Sequence, residues 1–249
     1  MTRSIDLELQ RTVATAVQPT EHVLRVATMF GLGIDQHRRL AIIPPIRLTL
    51  RPGQVVFITG PSGSGKSTLL KLMAAALSER SDVCVTRFDD LPPLPDQPLV
   101  DCFEPWCGDL EQVLKILAYA GLNDAFVMLR KPSELSDGQR YRLRLAQTMA
   151  IAQAYDNTQA KGGDPPPRRD APTLLHVVLA DEFGATLDRT TAHVIARNVR
   201  KWTRRASRHG LGLCFIAATT HDDLLEPLEP DVLIEKPLGE DLHVLTREP

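Results

Sequence analysis

Residues Gly60-Pro-Ser-Gly-Ser-Gly65-Lys66-Ser67 follow the pattern G-x-x-x-x-G-K-S/T in full, between an apolar run, Val55-Val-Phe-Ile-Thr59, and a helix-forming run from Ser67 to Leu77. Strand, glycine-rich loop and helix in that order constrain the chain more than any other local pattern, because this context makes the loop a phosphate cradle. Glycines at 60, 63 and 65 let the backbone curl so that successive N–H groups point inward at phosphate oxygens. The helix start at Lys66 adds its partial positive end. The residues Gly60, Pro61, Ser62, Gly63, Ser64, Gly65, Lys66, Ser67 and Thr68 are therefore expected to hold the phosphates of a nucleoside triphosphate. Lys66 supplies a full positive charge, and the Ser67 hydroxyl is a hard oxygen ligand of the kind Mg²⁺ accepts.

Such a site also needs a carboxylate to position the metal and a group to activate water. Leu174–Ala180 (LLHVVLA) is a continuous apolar run, read as a parallel strand covered on both faces and able to lie beside the phosphate-loop strand. It ends at Asp181-Glu182. Asp181 is expected to hold Mg²⁺ through its water shell, which leaves Glu182 to polarise the attacking water as general base. An Asp-Glu pair at a strand end otherwise caps a helix about as often, and the phosphate loop upstream is what favours the catalytic reading.

The rest of the chain is consistent with a globular α/β protein. Its 249 residues are 43% apolar and 24% charged with a net charge of −2, so no global basic field draws the whole chain onto nucleic acid or anionic lipid. No apolar stretch approaches the roughly 20 residues that cross a bilayer, so the chain is not expected to span a membrane alone. The N-terminus carries acids where a secretory apolar segment would lie. Four cysteines in so long a chain do not make a disulfide scaffold, and a cytoplasmic location follows. Cys102 and Cys107 have no second Cys/His pair at zinc spacing and are read as thiols.

Residues 1–25 read as polar and weakly patterned, and Ile46–Leu50 as a short strand before the turn at Arg51-Pro52-Gly53-Gln54. Val83–Thr86 is the next strand, and the proline-rich residues 89–98 are irregular. Helices are expected over 109–120 and about 138–154, with a mobile surface loop over 155–173. A helix over 190–208, a strand over Leu213–Thr219 and two short strands within 231–246 complete the chain. The alternation implies one α/β domain over 1–249, a mixed sheet with a parallel core, and a helical subdomain over about 100–154.

Leu135-Ser-Asp-Gly-Gln139, followed by Arg140-Tyr-Arg142 and a helix, resembles the signature motif of ABC-type ATPases, a family of P-loop NTPases that mostly has Gly where this chain has Asp137. Asp181-Glu182 is similar to the end of their Walker B strand, Ala185-Thr-Leu-Asp188 to their D-loop, and Thr220-His221-Asp222 to their switch histidine. The motifs match in order over roughly residues 25–235. The resemblance implies Mg²⁺-dependent ATP hydrolysis by a homodimer that forms head to tail on ATP. Ser136, Gly138 and Gln139 of one copy would close over the ATP held by the other, and His221 would reach the γ-phosphate. It further implies an aromatic on the adenine, for which Phe30 is the candidate, and a glutamine at the metal, for which Gln97 is the candidate. A plain core role suits Phe30 equally well. Phe183 stands where the family usually has Pro.

Two partner classes follow from that resemblance. LSDGQRYRLRLA with ADEFGATLDR is similar to a small soluble subgroup, some of whose members are fused to a predicted acetyltransferase domain for which 249 residues leave no room. Arg197, Arg200, Lys201, Arg204, Arg205 and Arg208 form a basic stripe on the helix 190–208, with Val194, Ile195, Val199 and Trp202 expected to face the sheet. The stripe is a candidate contact for nucleic-acid phosphate, although a solvated outer face is the commoner reason for such a pattern. The alternative is the energy subunit of a membrane transporter, with a membrane partner docking near residues 90–108.

Overall fold

The computed structural model describes residues 4–15, 18–31, 33, 38–160, 175–208, 210–239 and 241–247. Strand β1 (Ile5–Thr15), helix α1 (Glu21–Met29) and strand β2 (Arg38–Leu50) come first. The phosphate-loop unit follows as β3 (Val55–Thr59), α2 (Lys66–Ser78) and β4 (Val83–Arg87). Helices α3 (Leu110–Tyr119), α4 (Ala125–Met128) and α5 (Asp137–Ala160) then occur without an intervening strand. The chain continues through β5 (Leu175–Ala180), α6 (Arg189–Arg208), β6 (Leu213–Ala218), α7 (Leu225–Leu228), β7 (Val232–Glu235) and β8 (His243–Thr246).

Six strands form one sheet in the order β4-β5-β6-β3-β7-β8, parallel except for β8. Strands β3, β5 and β6 bury every residue, which is why they read as unbroken apolar runs. One face is covered by α2 and by the separate antiparallel pair β1-β2, where Leu7, Leu9 and Leu48 join Val56, Ile58 and Met73. On the other face Phe57 and Phe215 pack with Leu117, Met149, Val199 and Trp202 from α3, α5 and α6. Among the described residues no helix is long and apolar enough to cross a membrane.

Four expectations are corrected. The first 25 residues contain β1 and the beginning of α1; in β1, Ile5, Leu7 and Leu9 are buried while Asp6, Glu8 and Gln10 are exposed, the period-two pattern of a half-buried strand. Strand β2 begins well before Ile46 and runs through Pro44-Pro45. Its register against β1 slips between Leu9 and Arg11, where the prolines have no N–H to give the ladder. Strand β6 lies between β3 and β5, so the strand carrying Asp181 is one place removed from the phosphate-loop strand. Helix α5 continues to Ala160, into the stretch read as a loop over 155–173; the remainder of that stretch lies outside the described residues.

Candidate functional site

Parallel strands deliver their C-terminal ends to one edge of a sheet, and the register fixes which residues emerge together. Phe57, Ala217 and Ala180 stand in one row across β3, β6 and β5. The phosphate loop, His221 and Asp181-Glu182 therefore leave the sheet at the same edge. With strands about 4.8 Å apart, β3 and β5 are roughly 10 Å apart, and the end of β6 lies between them.

Gly60, Gly63 and Gly65 take φ of 145°, 76° and 105°, the left-handed half of backbone space that glycine enters freely. Helix α2 starts at Lys66 with no side-chain cap, and its first-turn N–H groups lack intrahelical acceptors. Ser64 Oγ is buried in the loop without a hydrogen-bond partner. An open helix start, a glycine cradle and an orphaned hydroxyl fit an oxyanion ligand such as triphosphate. Lys66 is 8% exposed, and its Nζ donates to the carbonyls of Gly60 and Pro61, both at 2.8 Å. Burial pushes its ammonium below the usual lysine range, against the opposing pull of the Asp181, Asp222 and Glu182 carboxylates. Those three acids and Lys66 thus share one electrostatic site.

Glu182 is exposed and has φ 48°, one of two non-glycine residues with positive φ among those described. Asp181 Oδ1 accepts its N–H at 3.0 Å, and the Phe183 N–H donates to the Ala218 carbonyl at 2.9 Å. Phe183 is fully buried and meets Phe215 edge to face at 5.7 Å, so this large residue anchors the turn in the core. The half-buried His221 donates its N–H to Thr219 Oγ1 at 3.3 Å. Asp222 accepts from the Thr59 hydroxyl at the end of β3. The sequence reading gave Asp222 no role in the site, although its place directly after His221, past an apolar strand, was the available signal.

Ser136 and Gln139 cap the start of α5 reciprocally: the Ser136 N–H donates to Gln139 Oε1 at 3.0 Å, and the Gln139 N–H donates to Ser136 Oγ at 3.3 Å. Asp137, the departure from glycine, pairs with Arg140 at 2.7 Å one turn on. A Cβ on Gly138 would lie 3.7 Å from Leu187 Cδ2 and 3.9 Å from the Thr186 carbonyl, so the signature packs on the D-loop of its own chain. The Ser136 side chain is exposed, and its hydrogen bonds stay within its own helix start.

Of the remaining candidates, Phe30 is 73% exposed at the end of α1, which leaves its ring open to a planar ligand and removes the core alternative. Gln97 is committed locally, its Nε2 donating to the Asp101 carbonyl at 2.7 Å and its own carbonyl accepting from Cys102 Sγ. It forms no hydrogen bond with Ser67 or Asp181. The basic stripe on α6 is smaller than it reads, because Arg200 is 4% exposed and forms a two-point pair with Asp231 at 2.5 and 2.9 Å. Val194 faces solvent, while Ile195, Val199 and Trp202 pack inward.

One further residue lies against the loop. Lys236 is fully buried, its N–H bonds the Thr59 carbonyl at 2.8 Å, and its Nζ donates to the carbonyls of Pro237 and Gly239 at 3.0 and 2.6 Å. Its role was not legible because a lone lysine after a short strand reads as surface.

Comparison with known proteins agrees with this geometry. The family model described as ABC transporter matches residues 43–92. The methionine import ATP-binding protein MetN of Corynebacterium diphtheriae is 24% identical over 227 residues, covering 79% of this chain and 58% of that protein. The chain thus spans little more than half the length of that relative. The lipoprotein-releasing system ATP-binding protein LolD of Maricaulis maris is 26% identical over 218 residues, covering 74% of this chain and 84% of that protein. Among solved structures, the dimeric bacterial ABC transporter cassette MJ0796 aligns with a TM-score of 0.55 at 20% identity, over 85% of this chain and 93% of that one. A post-hydrolysis state of the same cassette with ADP and Pi aligns with a TM-score of 0.56 at 18% identity, over 98% of this chain and all of that one. These structural likenesses show the fold. Taken with the intact phosphate loop and the acids that converge on it, they give the chain the P-loop fold of an ABC ATPase cassette and support an ABC-type nucleotide-binding domain.

Proposed function

We propose that the protein binds ATP between two copies arranged head to tail and hydrolyses it to ADP and phosphate, and that the cycle closes and opens the pair. The observation that carries this reading is the gathering of Lys66, Asp181, Glu182 and Asp222 at one sheet edge, with Ser136 exposed at its helix start and hydrogen-bonded only to Gln139. The phosphate loop presents its amides to the β- and γ-oxygens, and Lys66 exchanges the carbonyls of Gly60 and Pro61 for phosphate. Ser67 and Asp181 would hold Mg²⁺, which supplies positive charge to the phosphate oxygens when bound. Glu182 orients and deprotonates the attacking water, while His221 donates toward the γ-phosphate. Ser136, Gly138 and Gln139 of the second copy complete the site, and Phe30 stacks on the base.

The coupled process is best read as transport. The relatives are ATP-binding proteins of import and lipoprotein-releasing systems, which favours a membrane partner. Of the stripe, the nucleic-acid reading keeps Lys201, Arg204, Arg205 and Arg208 as exposed cations outside any ion pair among the described residues, since Arg200 is buried and Arg197 pairs with Glu226. Glu182→Gln tests the core claim: it should bind ATP, accumulate as dimer on size exclusion, and hydrolyse at least about 100-fold more slowly. Turnover at the parental rate overturns the role given to Glu182. Filter binding to duplex DNA across a salt series, with Lys201, Arg204 and Arg208 neutralised together, decides the nucleic-acid reading; unchanged affinity removes it.

A further inference from the structure

The turn that carries Glu182 holds a conformation its own residues do not favour. A glutamate at φ 48° sits where side chains crowd the backbone, and such a residue stays there only when its surroundings over-determine it. On the upstream side, Ala180 ends a wholly buried strand and Asp181 Oδ1 holds the Glu182 N–H. On the downstream side, Phe183 is tied to β6 through the Ala218 carbonyl and Phe215. The last anchor comes from elsewhere: the Gly184 N–H donates to the Tyr141 hydroxyl at 2.8 Å, a buried bond between residues 43 apart.

Tyr141 lies on α5, two residues beyond Gln139, and is itself rigidly held. It is 7% exposed, and its ring lies 5.0 Å from Phe88 at 39°. Arg144 covers the Phe88 ring at 5.1 Å and donates to the Phe88 carbonyl at 2.8 Å. Gly184 has φ 74°, and a Cβ there would lie 3.2 Å from Leu224 Cδ1 and 3.5 Å from Ala192 Cβ, so glycine suits this turn. One hydroxyl therefore joins the first turns of α5 to the turn bearing the carboxylate, and losing it releases the Gly184 N–H just downstream of the residues held by the sheet.

We infer that Tyr141 is a positioning residue for hydrolysis: its hydroxyl, by holding Gly184, sets where the Glu182 carboxylate lies and couples it to the helix tipped by Ser136. This rests on the reading of Glu182 as the group that activates water. Carboxylate misplacement weakens turnover and leaves phosphate binding alone, because no part of the loop Gly60–Thr68 is bonded to Tyr141.

The test is Tyr141→Phe, which removes one oxygen and keeps the ring on Phe88, measured alone and combined with Glu182→Gln. Tyr141→Phe is expected to lower kcat by about tenfold to a hundredfold, with the Kd of a fluorescent ATP analogue within about twofold of the parent. Added to Glu182→Gln it should cost nothing more, since both act through one carboxylate. Replacement of Tyr141 by 4-fluorophenylalanine, which fills the hydroxyl's volume with a weak acceptor, should give the same kcat loss and guards against misfolding of the first variant. A parental kcat in Tyr141→Phe, or an equal further loss in the Glu182→Gln background, overturns the proposal while leaving Glu182's role intact. A parental rate in Glu182→Gln alone overturns that role and this proposal with it.

Discussion

Gly60→Ala is the sharpest test of how the phosphate loop is held. A Cβ on Gly60 would stand 2.0 Å from the Lys236 carbonyl oxygen and 2.9 Å from its carbon, at φ 145°. Both are backbone atoms, and Lys236 is fixed in place by its N–H bond to Thr59 and by its buried Nζ on Pro237 and Gly239. The two segments must therefore part by about 1 Å or more. Placing alanine at this φ costs about 1–3 kcal/mol, and giving up the Thr59–Lys236 bond leaves buried polar groups unpaired at about 1–3 kcal/mol more. The expected loss is about 2–6 kcal/mol, a large share of the roughly 5–15 kcal/mol that holds a domain together. If the loop moves instead, two charge-assisted contacts to phosphate at about 1.5–3 kcal/mol each are lost, more than about a hundredfold in affinity. Gly63→Ala is the control, because Gly63 has φ 76° but nothing within 4 Å of its Cβ position, so it should lose only about 1–2 kcal/mol. Urea denaturation without nucleotide and titration with a fluorescent ATP analogue read both variants. A Gly60→Ala protein within about 0.5 kcal/mol of the parent in stability and unchanged in nucleotide affinity would refute the reasoning.

Two further outcomes separate surface from core on α6 and its neighbours. Arg200→Met leaves the Asp231 carboxylate, which also accepts the Val55 N–H at 2.8 Å, without its counter-ion. Because Asp231 keeps 28% of its side chain exposed, the expected cost is about 2–3 kcal/mol, below that of a wholly buried pair, while Arg204→Gln should stay within about 0.5 kcal/mol; equal urea midpoints for the two would contradict this. Asp223 is held at about 2 by the Arg189 guanidinium and then by His193, below its ordinary 3.8. A carboxyl with a depressed folded-state pKa stabilises fully above about pH 4 and loses that contribution as pH falls toward 2. The stability difference between the parent and Asp223→Asn should therefore be constant above about pH 5 and narrow below pH 4 in urea melts, and a difference that widens on acidification would show the sign to be wrong.

Several of these outcomes concern residues whose roles depend on partners far away in the chain. The phosphate loop, the acids after the apolar run and the capped start of α5 were legible in the amino-acid order, because a few adjacent residues set each of them. Glycines where φ must be positive, an unbroken apolar run for a strand covered twice, and Ser136 three residues before Gln139 are local rules. Strand β1 was legible too, in the alternation of Ile5, Leu7 and Leu9 with polar neighbours, but its charged content masked it.

Only tertiary structure decided the rest. The place of β6 between β3 and β5 depends on how the crossover helices pack, and no local pattern in LLHVVLA or LCFIAA distinguishes neighbours in the sheet. Arg200 reads as one more charge in a basic run until the fold brings Asp231 to it, across 31 positions. Tyr141 is one residue of the run Arg140-Tyr-Arg142 until Gly184 arrives from 43 residues away. Short-range rules choose elements from steric and hydrogen-bonding preferences of neighbouring residues. Which elements touch is set by burial of their apolar faces together, and that energy belongs to the whole chain.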